Sequence, residues 1–196
     1  MKQFDYMEKW KKLLTPQIVS YLTTIHEYKG KQHLIAERHA DVLENLVEIA
    51  KIQSTESSNK IEGIYTSDER LKKIVLDKTM PKTRNEREIA GYRDVLNTIH
   101  ENFQHIPIRD TFILQLHRDL YKFENASYGG RCKTADNIIE EEDERGNKFV
   151  RFRPLPAWET PDAIINLCTA YNEAINKGEA DSLLLIPMFI IDFLCI

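Results

Sequence analysis

Apolar side chains recur every three or four residues along most of this chain, which is the spacing that one face of an α-helix requires. One apolar stripe leads up to Pro107, and another follows Asp110, a residue type that caps helices. The first stripe is Ile89, Tyr92, Leu96, Ile99 and Phe103, and the second is Ile113, Leu114, His117, Leu120 and Tyr121. The pattern therefore predicts two successive helices separated at Pro107.

Residues typical of helix ends divide the rest of the chain into further helices. The predicted starts are T-x-x-E capping boxes at Thr66 and Thr83, Thr-Pro pairs at Thr15 and Thr160, and Asp181-Ser182. The predicted stops are Gly30 and Gly178. A further helix is predicted over residues 34–50. Helices are thus expected over most of the sequence.

One segment breaks the helical pattern between Gly129 and Phe152. Residues with β-propensity lie on both sides of the polar stretch 143–147, which predicts a β-hairpin with these residues as its connection. The acidic run 140–144 is expected to be a solvated loop at the hairpin tip. The predicted fold class is an all-α bundle that carries one β-hairpin, at about residues 133–153.

Composition narrows the classes of function. The 196 residues are 42% hydrophobic, enough for a folded core, and a net charge of −4 offers no basic face for nucleic acid. Three cysteines without a C-x-x-C pair predict reduced thiols. The apolar run 183–196 is shorter than the ~20 residues of a membrane span and contains Asp192, so we expect no membrane segment and a cytoplasmic location.

Familiar catalytic and metal-binding motifs are missing from the sequence. It contains no G-x-S-x-G, no G-x-x-x-x-G-K-[ST] and no G-x-G-x-x-G, which leaves hydrolase, P-loop and Rossmann functions without support. The six histidines do not form helical pairs with a carboxylate between them, so no metal site is predicted.

The stretch from Ser57 to Ile64 has two interpretations. In the first, it is a helix end with Gly63 as a left-handed cap, followed by a loop. In the second, a short helix presents Glu62 to an arginine elsewhere, with the Ser58 hydroxyl one turn earlier on the same face. The residues alone leave both open.

These residues match the inhibitory pattern [ST]-x-x-x-E-[GN] of the Fic family, in the subclass that has it N-terminal to the catalytic core. Other segments resemble the family in the right order: residues 87–103 its first core helices, residues 113–120 its I-x-x-L-H-x-x-L helix, residues 128–131 its G-x-[YF]-R, and residues 152–154 its F-x-P. Gly130 departs from the pattern, because it occupies the aromatic position. The matches cover most of residues 50–196.

The resemblance also implies an organisation. Residues 1–80 correspond to the Fic N-terminal region with its inhibitory helix, and residues 81–196 to the first part of the Fic core, including the hairpin called the flap. Residues 189–196 look like the helix that precedes the H-P-F-x-[DE]-G-N-G-R signature, which is not in this sequence. We therefore expect a fragment of a longer protein, with no catalytic residue of its own and no activity alone.

The function implied by the resemblance is transfer of AMP from ATP, with Mg²⁺, to a hydroxyl side chain of a target protein. Glu62, with Ser58 and Gly63, would inhibit transfer by pairing with the second arginine of the absent signature, and no motif in this chain would bind ATP or metal itself. The flap would bind the target by strand addition, through Lys133, Thr134, Ala135, Asp136, Asn137, Ile138 and Phe152.

Alternatives from other classes remain open at this stage. One is a non-catalytic helical module in which Glu62 inhibits a separate Fic core, and another is a plain helical scaffold. Nucleic acid is a partner only if a further C-terminal module exists. The apolar face of the last helix consists of Leu184, Met188, Ile191 and Leu194, and we expect it to pack against helices beyond residue 196 in the parent protein. In the 196-residue chain this face would be exposed and would cause aggregation or support a homodimer.

Overall fold

The computed structural model describes residues 3–36, 40–124 and 126–196, and within them the chain is mostly helical with one small antiparallel sheet. The helices are α1 (Pro16–Ala36), α2 (Ala40–Ile61), α3 (Asp68–Val75), α4 (Arg84–Asn102), α5 (Asp110–Leu120), α6 (Thr160–Lys177) and α7 (Ser182–Leu194), and the strands are β1 (Ile139–Glu142) and β2 (Lys148–Phe152). Short 3₁₀ helices cover Lys9–Leu13, Phe103–His105 and Ala157–Glu159. The predicted helical class with one hairpin is confirmed.

Several helix ends form as the sequence predicts. The Thr83 hydroxyl accepts a hydrogen bond from the backbone N–H of Glu86 at 3.2 Å, which caps α4. The Asp181 carboxylate accepts from the N–H of Leu183 at 2.9 Å and so caps α7. Gly178 ends α6 with a φ of 70°, a left-handed conformation that favours glycine.

Other predicted boundaries are wrong. Gly30 lies inside α1, which continues to Ala36, because good helix formers flank it and a glycine costs a helix only about 1 kcal/mol. Ser67, not Thr66, caps α3, since the Thr66 hydroxyl bonds instead to the Glu86 carboxylate at 3.5 Å. Thr160 is the first residue of α6 and not its cap. Residues 37–39 of the helix predicted over 34–50 lie outside the described residues.

Contacts divide the chain into two compact units. One comprises Met1–Thr23, Ile108–Thr111 and Cys132–Ile196, and the other comprises Thr24–Pro107 and Phe112–Arg131. The core of the second unit forms between α2, α3 and α4. It consists of Leu71, Ile74, Val75, Ile89 and Ala90, with Ile52, Ile64 and Phe123 packed against them.

The core of the first unit joins the N-terminal segment to α6 and α7. Its buried members are Tyr6, Leu167, Ala174 and Leu185. The Tyr6 hydroxyl donates to the Asp192 carboxylate at 2.9 Å, which gives the charged residue of the apolar helix α7 a partner. On the same helix, Ile191 and Leu194 are 63% and 71% exposed, as predicted for the apolar face of α7. The prediction is wrong for Leu184, which is buried, and for Met188, which packs against this core. Among the described residues, no helix is both long and apolar enough to cross a membrane.

Candidate functional site

The candidate regulatory residues lie where α2 ends. α2 stops at Ile61, and Glu62 and Gly63 form the turn that follows it. Gly63 has a φ of 72°, and its N–H bonds to the carbonyl oxygen of Lys60 at 3.0 Å. The N–H groups of Glu62 and Ile64 both bond to the carbonyl oxygen of Asn59, at 3.1 and 2.9 Å. This is the glycine-capped helix end that the sequence allowed, at the end of a 22-residue helix.

The expectation of a short helix that carries Glu62 is therefore wrong in form. Glu62 is the first residue beyond a long helix, because the left-handed Gly63 ends the helix there. Its side chain is exposed, and within the described part of the chain its carboxylate makes no hydrogen bond or ion pair. A charged group in this position is free to bind a cation that approaches from outside.

Ser58 occupies the preceding turn of α2 and is tied to another helix. The Tyr92 hydroxyl, from α4, donates a hydrogen bond to Ser58 Oγ at 2.9 Å. This contact joins residues 34 positions apart and anchors the last turn of α2 to α4. Ser58 thus has a partner that the sequence pattern did not indicate.

A cleft of about 750 Å³ opens beside this helix end, within the second unit. The end of α2, the start of α4 and the end of α5 form its walls. Its lining includes Ser58, Glu62, Gly63, Arg84, Glu88, Tyr92 and Tyr121. The structure thus brings the three predicted regulatory residues to one cleft.

Among the described residues, the charged side chains that line the cleft are one arginine, Arg84, and two glutamates, Glu62 and Glu88. Arg84 Nε donates to the Glu88 carboxylate at 3.0 Å and lies 4.0 Å from Glu124. Burial raises the pKa of the Tyr121 phenol, and the neighbouring Tyr128 and the carboxylates Glu88, Glu124 and Glu62 raise it further. The cleft therefore presents mainly negative charge.

The start of α4, which carries Arg84, is fixed by an ion pair beneath it. Glu86 is 4% exposed and accepts from Arg70 Nε at 2.9 Å and Nη2 at 2.7 Å. The N–H of Lys82 donates to the same carboxylate at 2.6 Å. Asn85 Nδ2 also bonds to the carbonyl oxygen of Tyr65, at 3.0 Å, which holds the segment after Gly63 against α4. These bonds give the cleft a rigid wall.

Close backbone packing sets the opposite wall. A Cβ atom on Gly91 of α4 would overlap the carbonyl oxygen of Leu120, at the end of α5. Farther along, Gly130 has a φ of 77°, and its N–H donates to His117 Nδ1 at 3.1 Å. A Cβ there would lie 2.9 Å from the Cβ of Arg118. The left-handed backbone and the close approach of Arg118 both favour glycine at position 130.

The hairpin forms with the predicted connection. β1 and β2 pair antiparallel, with Glu141 opposite Phe149 and Glu142 opposite Lys148, and residues 143–147 join them. Asp143 closes the turn by accepting from the N–H groups of Arg145 and Asn147, both at 2.9 Å. The acidic run is not all loop, however. Residues 140–142 form most of β1, because they pair with β2, and only the rest of the run lies at the tip.

Three of the predicted target-binding residues have internal partners at the base of the hairpin. Lys133 Nζ donates to Asn137 Oδ1 at 2.8 Å and to the carbonyl oxygen of Ile196 at 2.6 Å. Asp136 accepts from the N–H of Ala157 at 2.7 Å. These bonds fix where the hairpin leaves the first unit. The remaining residues, Thr134, Ala135, Ile138 and Phe152, are exposed and carry no such bonds among the described residues.

Comparison with known proteins identifies the fold. No protein-family profile and no curated protein matches this chain. A solved structure of a Fic domain-containing signaling protein from Bacteroides thetaiotaomicron is similar, with a TM-score of 0.61 at 19% sequence identity. The chain has a Fic-like helical fold. The alignment covers 74% of this chain and 55% of that one, so the chain spans about half the length of its structural neighbour.

Two features of the cleft could not be found from sequence patterns. The Tyr92–Ser58 bond connects two helices, and Tyr92 looks like one more core residue in its apolar stripe. Arg84 looks like an ordinary first-turn residue of α4, yet it lines the cleft. Among the described residues, no group of three or more His, Cys, Asp and Glu side chains is arranged to hold a metal ion.

Proposed function

We propose that this chain forms the regulatory and target-binding part of a Fic-type enzyme that transfers AMP from ATP to a hydroxyl side chain of a target protein. The observation that carries the proposal is the Glu62 carboxylate, which has no partner among the described residues and lies at a cleft between helices of a Fic-like fold. In this proposal, Glu62 inhibits the enzyme by binding an arginine that would otherwise hold the nucleotide. A carboxylate suits this role because it competes with phosphate for the same guanidinium group.

The residues of this chain do not fit ATP and Mg²⁺ by themselves. Among the lining residues of the cleft, the one arginine, Arg84, is already bound by Glu88, and Glu62 adds further negative charge. Such a lining repels a triphosphate rather than holding one. We therefore assign nucleotide and metal binding to the complete protein and expect the 196-residue chain alone to be inactive.

The hairpin supports the second half of the proposal. Its two strands pair only with each other, so each has an outer edge with free N–H and C=O groups among the described residues. Such an edge can add a strand from a target protein, which would align the target hydroxyl. The exposed residues Thr134, Ala135, Ile138 and Phe152 would contact that strand, while Lys133, Asp136 and Asn137 hold the hairpin base.

Replacing Glu62 tests the regulatory role. In the complete protein, Glu62→Gly should raise incorporation of labelled AMP about tenfold to a hundredfold, because a charge-assisted hydrogen bond contributes about 1.5–3 kcal/mol. Glu62→Gln should have a similar effect, because it removes only the charge. Glu101→Gln is the matched control, since Glu101 is also exposed but lies at the end of α4 and does not line the cleft.

Two outcomes would contradict the proposal. Equal incorporation by the unmodified protein and Glu62→Gly would remove Glu62 from regulation. Inhibition of a separate Fic core by the added 196-residue chain, with no transfer by the complete protein, would favour the alternative of an inhibitor module. We also propose a cytoplasmic location, where Cys132, Cys168 and Cys195 stay as free thiols. A homodimer could form through the exposed side chains of Ile191 and Leu194, and size-exclusion chromatography of the 196-residue chain measures whether it does.

A further inference from the structure

The contact between Tyr92 and Ser58 suggests a role that the proposed function does not include. Ser58 Oγ accepts the phenolic hydrogen of Tyr92 at 2.9 Å, one helical turn before Glu62. Both side chains are partly buried, and both line the cleft at the point where Glu62 leaves α2. The bond thus restrains the turn of helix from which the regulatory residue projects.

Tyr92 comes from a helix that is itself held on several sides. Its neighbour Arg93 is buried, donates from Nη1 to the carbonyl oxygen of Ile74 at 2.6 Å and pairs with Asp94. Its other neighbour, Gly91, lies against the backbone of Leu120. Because these contacts restrain this part of α4, the Tyr92 hydroxyl has little freedom to move and can hold the end of α2 in place.

The last turn of α2 needs a contact from outside the helix to stay in one conformation. Ser57 and Ser58 are weak helix formers, and the glycine at position 63 allows the backbone many conformations. Hydrogen bonds from the N–H groups of Glu62 and Ile64 to Asn59 hold the turn from within, and the Tyr92 hydroxyl holds it from outside. Without the outside contact, the turn would fray more easily and Glu62 would sample more directions.

We propose that Tyr92 is a positioning residue for Glu62: its hydroxyl fixes the last turn of α2 through Ser58 and so keeps the carboxylate at the cleft. The proposal rests on the proposed function for its regulatory meaning, although the positioning itself is a property of this chain. It also gives Ser58 a specific task, since the serine is the link between the rigid helix and the inhibitory residue.

Hydrogen exchange in the 196-residue chain tests the positioning directly. Tyr92→Phe keeps the ring and removes one hydrogen bond, and it should speed exchange of the Glu62, Gly63 and Ile64 amides about threefold to tenfold. Ser58→Ala should have the same effect, and the double variant should add nothing. Tyr65→Phe is the control, because the exposed Tyr65 hydroxyl has no hydrogen bond among the described residues.

A purely structural role would give a different result. It would also speed exchange of the buried amides of Ile89 and Ala90 in α4, and that outcome would overturn the proposal. Unchanged exchange at residues 62–64 in Tyr92→Phe would overturn it as well. Faster exchange confined to residues 62–64 supports it.

Transfer assays on the complete protein separate this proposal from the proposed function. Tyr92→Phe should raise AMP incorporation by less than Glu62→Gly does, and it should add nothing in the Glu62→Gly background. If Glu62→Gly has no effect, the proposed function fails and the exchange experiment alone decides the role of Tyr92. If Glu62→Gly activates and Tyr92→Phe does not, the positioning role is wrong.

Discussion

At the scale of single residues, Glu86 shows how a buried charge organises the wall of the cleft. Arg70 holds its carboxylate with two hydrogen bonds, and the N–H of Lys82 adds a third. The bonds from Arg70 contribute most to a pKa of about 2 for Glu86, well below the value of 4.5 for a free glutamate. Glu86 therefore stays charged in the folded protein and joins α3 to α4.

Replacing Glu86 with Gln should lower the free energy of unfolding by about 2 kcal/mol at neutral pH. This is less than the ~3–5 kcal/mol of a fully buried pair, because Arg70 keeps some contact with solvent. The folded state lowers the pKa, so the contribution is complete above about pH 4.5 and is lost as the pH falls towards 2. Urea denaturation across this pH range measures the difference.

Glu69→Gln provides the control for this experiment. Glu69 pairs with Lys73 on the exposed surface of α3, where solvent weakens the ion pair, so its loss should change stability little. A difference between the unmodified chain and Glu86→Gln that stays constant from pH 7 to pH 2 would contradict the electrostatic role of Glu86.

At the scale of helices, two glycines that both lie inside a helix have opposite roles. Gly91 lets α4 approach the end of α5, where any larger residue would meet the backbone of Leu120. Gly30 lies in α1, and apart from its chain neighbours and the backbone of its own helix, no atom of the described residues lies within 4 Å of where a Cβ would be. The sequence suggested a helix stop at Gly30 and gave no special role to Gly91.

Alanine at these two positions should therefore act in opposite directions. Gly91→Ala should lower the free energy of unfolding by about 3 kcal/mol or more, since the overlap is with backbone that cannot rotate away. Gly30→Ala should raise it by about 0.5–1 kcal/mol, because alanine has the higher helix propensity. Thermal or urea denaturation of both variants measures this. Stabilisation by Gly91→Ala would show that α4 and α5 are not in close contact.

How far the sequence predicts the structure depends on the distance between interacting residues. The cap at Thr83, the stop at Gly178 and the hairpin connection 143–147 depend on residues a few positions apart, and all three were predicted. The cap at Thr66 was predicted wrongly because its hydroxyl bonds to Glu86, twenty positions away. Local patterns do not reveal which competing partner is near in space.

The same limit applies to the candidate site. Ser58, Glu62 and Gly63 could be identified because they form one short pattern. The Tyr92 hydroxyl and Arg84 belong to a different helix, and their helical stripe gives them no distinguishing feature. For the hairpin, alternation predicted the strands, whereas the partners of Lys133 and Asp136 come from distant segments.

At the scale of the whole molecule, a contact within the first unit joins two residues that are far apart along the chain. Tyr6 is 1% exposed, and its hydroxyl donates to Asp192, 186 positions later. The Tyr6 ring also stacks on Phe4 and meets the edge of Tyr171. Asp192 interrupts an otherwise apolar helix, so the phenol reduces the cost of placing a carboxylate there.

Replacing Tyr6 with Phe should lower the free energy of unfolding by about 1–3 kcal/mol, because the ring remains and a hydrogen bond to a charged group is lost. Tyr28→Phe, at a tyrosine that is 66% exposed, should have little effect.

Burial first, and then the hydrogen bond and charge of Asp192, raise the pKa of Tyr6 far above 10.0 in the folded chain. The neutral phenol is thus favoured by folding, and its contribution is complete below pH 10 and falls above it. Denaturation of the unmodified chain and of Tyr6→Phe should therefore differ by a constant amount up to about pH 10 and converge at higher pH. Equal stability of the two chains at neutral pH would show that the Tyr6–Asp192 contact does not stabilise the fold.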